Sequence, residues 1–263
     1  AARMADAPLN ILDGRVVIIT GGTRGIGIGI ARHLGALGAK ITITGRKPER
    51  LAEAIALLES ENVECLGLVA DVADRGRAFE VVDETLAQFG RLDGLVLNAQ
   101  SFRPVTPLVD VTESDMNLLF DTGPKGALWL MQAAQPHMAA NNWGRIVTMG
   151  TSMGLTGASG YGPYAASNEA IRSLTRTAAR EWGRDGITVN CVLPASAGHR
   201  APVAGSDPAR EAAFASMYDD NPVGRDGDAI EDIGPAVAFL LSDGSRYVTG
   251  QTISVDGGGI MRP

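Results

Sequence analysis

Residues 16–27 read Val16-Val17-Ile18-Ile19-Thr20-Gly21-Gly22-Thr23-Arg24-Gly25-Ile26-Gly27. The opening run is β-branched throughout, which favours an extended strand buried on both faces. Glycines then interrupt it, and an amphipathic helical pattern follows. Such a turn brings the backbone close to a ligand and leaves the free N–H groups of a helix N-terminus beside it. A pyrophosphate suits that setting. A lone glycine triplet says little, but here a strand precedes it, a helix follows, and the unit is the first in the chain. That context marks a dinucleotide-binding turn. Gly21, Thr23, Arg24, Gly25, Ile26 and Gly27 are the residues expected to line it.

Outward from this unit, short β-branched runs alternate with longer amphipathic segments over the 263 residues. Strands are predicted at 16–20, 41–44, 64–69, 94–97, 145–149, 188–192 and 252–255. Helices are predicted at 25–37, 48–60, 75–89, 113–140, 164–182 and 231–241, the fourth broken at Gly123-Pro124 because proline cannot continue a regular helix. The alternation predicts an α/β fold: a doubly wound, mostly parallel Rossmann sheet of about seven strands with helices on both faces. One domain over 1–263 is expected. Residues 195–228, rich in Pro, Gly, Asp and Ala, leave from the carboxyl edge of a predicted strand and read as a substrate lid, with a short helix at 208–218.

The second strand decides the cofactor variant. It ends Thr44-Gly45-Arg46-Lys47, without the carboxylate that holds a ribose 2′-hydroxyl in NAD sites. Arg46 and Arg24 instead suit a 2′-phosphate, which guanidinium groups bind in a fork. NADP(H) is favoured, with NAD(H) as the alternative.

Composition narrows the partners. A net charge of -7 and only 5% aromatic residues argue against nucleic acid, which needs a basic surface or stacking platforms. No apolar run nears the roughly 18 residues of a membrane span, and the N-terminal segment lacks signal-peptide features. Cys65 and Cys191 sit far apart in apolar surroundings and read as reduced thiols. A cytoplasmic protein is expected, with no membrane partner. No His, Cys and carboxylate set has metal-ligand spacing, and His33 and His137 read as structural.

These motifs together resemble the short-chain dehydrogenase/reductase family over nearly the whole chain. Thr20, Gly21, Gly25 and Gly27 match its TGxxxGxG pattern, Asp71-Val72 its adenine contact, and Leu97-Asn98-Ala99-Gln100 part of its NNAG. The stretch from Tyr164 to Asn190 matches its catalytic helix and following strand, and Asp256-Gly257-Gly258 its closing motif. The resemblance implies cofactor contacts at Asp71, Val72, Asn98, Ala99, Tyr164, Asn168 and Pro194, a small-molecule substrate, and a homo-oligomer, a tetramer paired through long helices and the C-terminal strand.

The resemblance also implies an Asn-Ser-Tyr-Lys catalytic set, and here the chain departs. Tyr164 is kept as the acid/base. Thr151 stands at the Ser position with Ser152 beside it, Asn168 at the Lys position, and Gly123 at the Asn position. A phenol with a pKa near about 10 needs a nearby cation to act as a base at neutral pH, and asparagine carries no charge. Lys125 and His199 are the candidate substitutes. Gln100, Ser101, Phe102, Tyr161 and the lid are expected to line the substrate pocket. The leading reading is an NADP(H)-dependent oxidoreductase interconverting a carbonyl and a secondary alcohol. The alternatives are a non-redox enzyme (dehydratase, isomerase or lyase) and a cofactor-binding protein without turnover.

Overall fold

In the computed structural model, which describes residues 11–103, 105–196 and 221–261, all strand pairs run parallel. The strands are β1 (Val16–Thr20), β2 (Lys40–Gly45), β3 (Cys65–Val69), β4 (Gly94–Leu97), β5 (Gly144–Met149), β6 (Ile187–Pro194) and β7 (Thr252–Val255). They form one sheet in the order β3-β2-β1-β4-β5-β6-β7. The chain therefore winds outward in one direction from β1 and, after β3, returns to begin at β4 and wind in the other. The doubly wound architecture expected from the alternation is the one observed.

Strand periodicity explains the two layers. Val17 and Ile19 point to one face and Ile18 to the other, because successive side chains alternate. On the first face β1 packs with α1 (Gly25–Ala36), α2 (Pro48–Ser60) and α8 (Gly234–Leu241), through Ile26, Ile30, Leu34, Leu51, Leu58, Val237 and Leu241. On the second, α3 (Arg75–Phe89), α5 (Gly126–Ala140) and α7 (Gly162–Trp182) cover Ile18, Leu95, Ile146 and Val189. Each fully buried Leu or Ile contributes about 1.5–3 kcal/mol of transfer free energy, so both faces are well supplied. Capping sharpens the helix starts: Asp74 accepts from Arg77 N–H at α3, and Gly90 at φ 75° closes the other end.

The break predicted at Gly123-Pro124 is not there. Helix α4 (Glu113–Phe120) runs into a π turn over Asp121–Lys125 and on into α5 without leaving helical backbone angles. The wider turn accommodates Pro124: Gly126 N–H reaches back five residues to Asp121 O, so the ladder bypasses the N–H that proline lacks. Thr122 Oγ1 donates to Leu118 O at 2.8 Å and accepts from Ser101 N–H at 3.0 Å, which ties this turn to the loop after β4. Short elements absent from the sequence-based expectation include α6 (Met153–Thr156) and a turn of 3-10 helix at Leu108–Asp110. Both are too short to show a period. The predicted helix at 208–218 lies outside the described residues.

Candidate active site

The strand order reverses between β1 and β4, and the crevice above their carboxyl ends is where open α/β sheets bind ligands. Thr20 and Asn98 stitch that crevice. Thr20 Oγ1 accepts from the N–H groups of Asn98 (3.0 Å) and Ala99 (2.9 Å), while Asn98 Nδ2 donates to Thr20 O at 3.0 Å. The glycines beside them have a steric reason. A Cβ at Gly22 would lie 2.5 Å from Ile43 Cγ2, and one at Gly27 would lie 2.8 Å from Asn98 Nδ2. Gly21 and Gly25 hold φ of 66° and 55°, the left-handed region that disfavours other residues.

Helix α1 begins at this loop with no side chain capping its first turn and no acidic residue within it. Its uncapped N–H groups and dipole suit an anion, so the cradle fits a dinucleotide pyrophosphate. Thr23 packs under Gly45, where a Cβ would lie 2.5 Å from its Cγ2. Next along the chain, Arg46 keeps an exposed guanidinium 3.9 Å from Asp71. Arg46 and Asp71, expected at the adenosine end, therefore lie close together, beside Thr23 of the glycine turn. Pro194 ends β6 opposite Val255.

At the other end stands the first turn of α7. Tyr164 is half-buried, with Phe102 edge-on to its ring at 5.2 Å and a second ring, Tyr161, 6.1 Å from Phe102. A small cavity lined by Arg103, Thr106, Tyr161, Pro163 and Tyr164 opens beside them. Thr151 and Ser152 follow β5 and are buried, and Thr151 Oγ1 accepts weakly from Met153 N–H at 3.4 Å.

Asn168 is 1% exposed, one turn along α7 from Tyr164. Its Nδ2 donates to Tyr164 O at 2.8 Å and to Gln100 Oε1 at 2.9 Å. Gln100 Nε2 in turn donates to Ser167 Oγ at 2.7 Å, and Ser167 Oγ donates to Tyr164 O at 2.9 Å. A backbone carbonyl only accepts, so it fixes the direction of every bond in this ring of amides and hydroxyl. Gln100 reaches its position across Gly123, where a Cβ would lie 2.7 Å from Gln100 Nε2.

Gln100 is thus turned toward Asn168 and Ser167 rather than serving only as pocket lining, and Ser167 is a member of the site that sequence reasoning misses. The readable signal is a pair of exchanges: a long amide where the family pattern has glycine, and glycine where it has asparagine. Lys125 is not a stand-in for the family lysine. Its ammonium is exposed and pairs with Asp121 at 2.6 Å, one turn back. His199 lies outside the described residues, as does most of the predicted lid. His33 packs under α8 against Gly234, and burial lowers its pKa. Burial also raises the Cys191 thiol to about 11. Among the described residues no cluster of His, Cys, Asp and Glu is arranged for a metal, and no helix is long and apolar enough to cross a membrane.

Residues 21–259 match the family model described as enoyl-(acyl carrier protein) reductase. The 12alpha-hydroxysteroid dehydrogenase of a Clostridium species is 34% identical, covering 97% of this chain and all of that protein. The 3-oxoacyl-[acyl-carrier-protein] reductase of Escherichia coli is 35% identical over 95% of this chain and 98% of its own. Among solved structures, levodione reductase superposes with a TM-score of 0.84 at 30% identity, covering 94% of this chain and 97% of that one. A protein of Sinorhizobium meliloti, provisionally described as a short-chain alcohol dehydrogenase, gives 0.87 at 34%, over 96% and 98%. The chain belongs to the short-chain dehydrogenase/reductase family, a family that implies an NAD(P)(H) cofactor and makes the chain an oxidoreductase of alcohol and carbonyl groups.

Proposed function

We propose that this protein binds NADP(H) across the β1–β4 crevice and interconverts a ketone and a secondary alcohol, with the Tyr164 hydroxyl exchanging the proton. The observation that carries the reading is the placement of Tyr164 and Asn168 on one face of α7, tied through Gln100 to the strand edge that also anchors the glycine loop. Gly21, Thr23, Arg24, Gly25, Ile26 and Gly27 hold the pyrophosphate, and Arg46 with Arg24 meets the 2′-phosphate. Asp71 and Val72 border the adenine, while Asn98, Ala99, Asn168 and Pro194 line the nicotinamide half. When bound, the nicotinamide supplies or takes up the hydride.

Thr151 and Ser152 orient the substrate oxygen by hydrogen bonding, and Tyr164 donates to it in reduction or accepts from it in oxidation. Phe102 and Tyr161 offer aromatic walls, which suit a ring-bearing or acyl ketone. The relatives named for hydroxysteroid and levodione chemistry support a cyclic one. The site sits on a single domain, and the working form is a cytoplasmic homotetramer. Screening cyclic ketones while following nicotinamide absorbance, with NADPH and NADH in parallel, tests this reading. NADPH consumption that depends on a ketone supports it. Consumption with NADH as fast as with NADPH removes the cofactor preference.

A further inference from the structure

Three departures from the family pattern meet at one point, and the contacts make them a single unit. Asn168 has two N–H groups and one oxygen to offer. Tyr164 O takes the first N–H and Gln100 Oε1 the second. Gln100 is itself held by Ser167 Oγ, and a Cβ at residue 123 would lie 2.7 Å from its Nε2, so the carboxamide would have to shift to make room for one. No hydrogen bond to Asn168 Oδ1 is seen among the described residues, and the one buried side-chain N or O atom there without a partner is Thr188 Oγ1, so Oδ1 keeps an accessible surface and is open to a donor from a ligand. We propose that Gln100 is a positioning residue for the nicotinamide end of the site: by holding the Asn168 amide it leaves Oδ1 to accept from a cofactor ribose hydroxyl.

This assignment rests on the dinucleotide reading and makes position 168 a neutral acceptor rather than a cation. It also fits glycine at 123: a Cβ there would lie 2.7 Å from Gln100 Nε2, the atom that holds Ser167, and would make the carboxamide that meets Asn168 shift. Gln100→Met keeps the length of the side chain and removes its hydrogen bonds. Gly123→Ala keeps Gln100 and displaces it. The two changes should injure the same function, and Gly123→Ala should add nothing in a Gln100→Gly background, where no carboxamide remains to displace.

The test is a binding titration of wild type and variants with NADP+ and, separately, with adenosine 2′,5′-bisphosphate, which lacks the nicotinamide ribose. Each protein is titrated well below its own melting temperature. Gln100→Met and Gly123→Ala are expected to weaken NADP+ about tenfold, the size of one lost hydrogen bond, and to leave the bisphosphate within about twofold. Equal weakening of both ligands would mean a merely structural role and overturn the proposal, as would NADP+ binding that neither variant changes. Should Gln100→Met not fold, Gly123→Ala and its cycle with Gln100→Gly decide the matter by the same two titrations. If wild type binds neither ligand, the dinucleotide reading itself has failed and the assignment falls with it.

Discussion

Asn168 stands where the family pattern has a lysine, and its Nδ2 donates to Gln100 Oε1 at 2.9 Å. The contact defines the character of the site. A buried amide whose N–H groups are both engaged is neutral, directional and intolerant of a swapped donor and acceptor.

Replacing Asn168 by Asp therefore sets a carboxylate against two acceptor oxygens, Tyr164 O and Gln100 Oε1. Asn168→Asp is expected to cost about 1–3 kcal/mol of stability at neutral pH, the penalty of a buried polar group left unsatisfied. The deficit should shrink as the pH falls, because a protonated carboxyl regains a donor. Denaturant melts across pH check both the size and the sign. A stable Asn168→Asp protein with no pH trend would mean that Asn168 donates neither of these two bonds.

A lysine at 168 is expected to restore the family's cation only if its surroundings change with it. Asn168→Lys alone replaces the short amide that Gln100 Oε1 now meets by a longer ammonium in the space Gln100 occupies. Combined with Gln100→Gly and Gly123→Asn, the lysine gains space, and alcohol oxidation should rise as the phenol is more readily ionised. Rate profiles for the two variants should show the alkaline limb of oxidation at lower pH in the triple variant. Identical profiles would mean that the three positions act independently.

Arg46 is expected to distinguish the phosphorylated from the plain dinucleotide. Arg46→Asp removes a charge-assisted contact and places a second carboxylate near Asp71, so NADP(H) binding should weaken by about 1–3 kcal/mol while NAD(H) changes little. Calorimetric titration with both cofactors measures the switch. Equal effects on the two would show that Arg46 does not contact the 2′-phosphate.

Arg225 grips Asp232 with two bonds, 2.5 and 2.7 Å long, and Asp228 N–H adds a third to the same carboxylate. These partners hold the Asp232 pKa down at about 2. A depressed carboxylate stabilises the fold above its unfolded pKa of about 3.9 and loses that contribution as the pH falls toward the folded value. Asp232→Asn should thus lower the melting temperature at neutral pH, and the gap should close as the pH falls through about 2. A gap that persists at acid pH would assign the loss to packing.

The sheet is legible in the sequence because its strands are β-branched runs buried on both faces, as at Val16–Thr20, and because the glycine turn has few other uses. Strand ends differ by a residue or two, where pairing rather than composition decides, as at Pro194 opposite Val255. The helix through Gly123-Pro124 is illegible because propensity treats proline as a break, whereas a π turn restores the ladder around it. The amide ring is hidden for a different reason. Gln100, Gly123 and Asn168 are far apart in sequence, and only the β4 loop, the π turn and α7 bring them together. The substitutions are visible singly, but their mutual dependence is a matter of contact.

Tyr164→Phe keeps the ring against Phe102 and removes only the hydroxyl that is proposed to move the proton in carbonyl reduction. Its turnover of a cyclic ketone that the wild type reduces can be followed through NADPH absorbance. We expect kcat to fall at least about a hundredfold, the lower range for a positioned acid or base, with NADP(H) affinity changed by no more than a few fold. Turnover by Tyr164→Phe at the wild-type rate would instead show that another group supplies the proton.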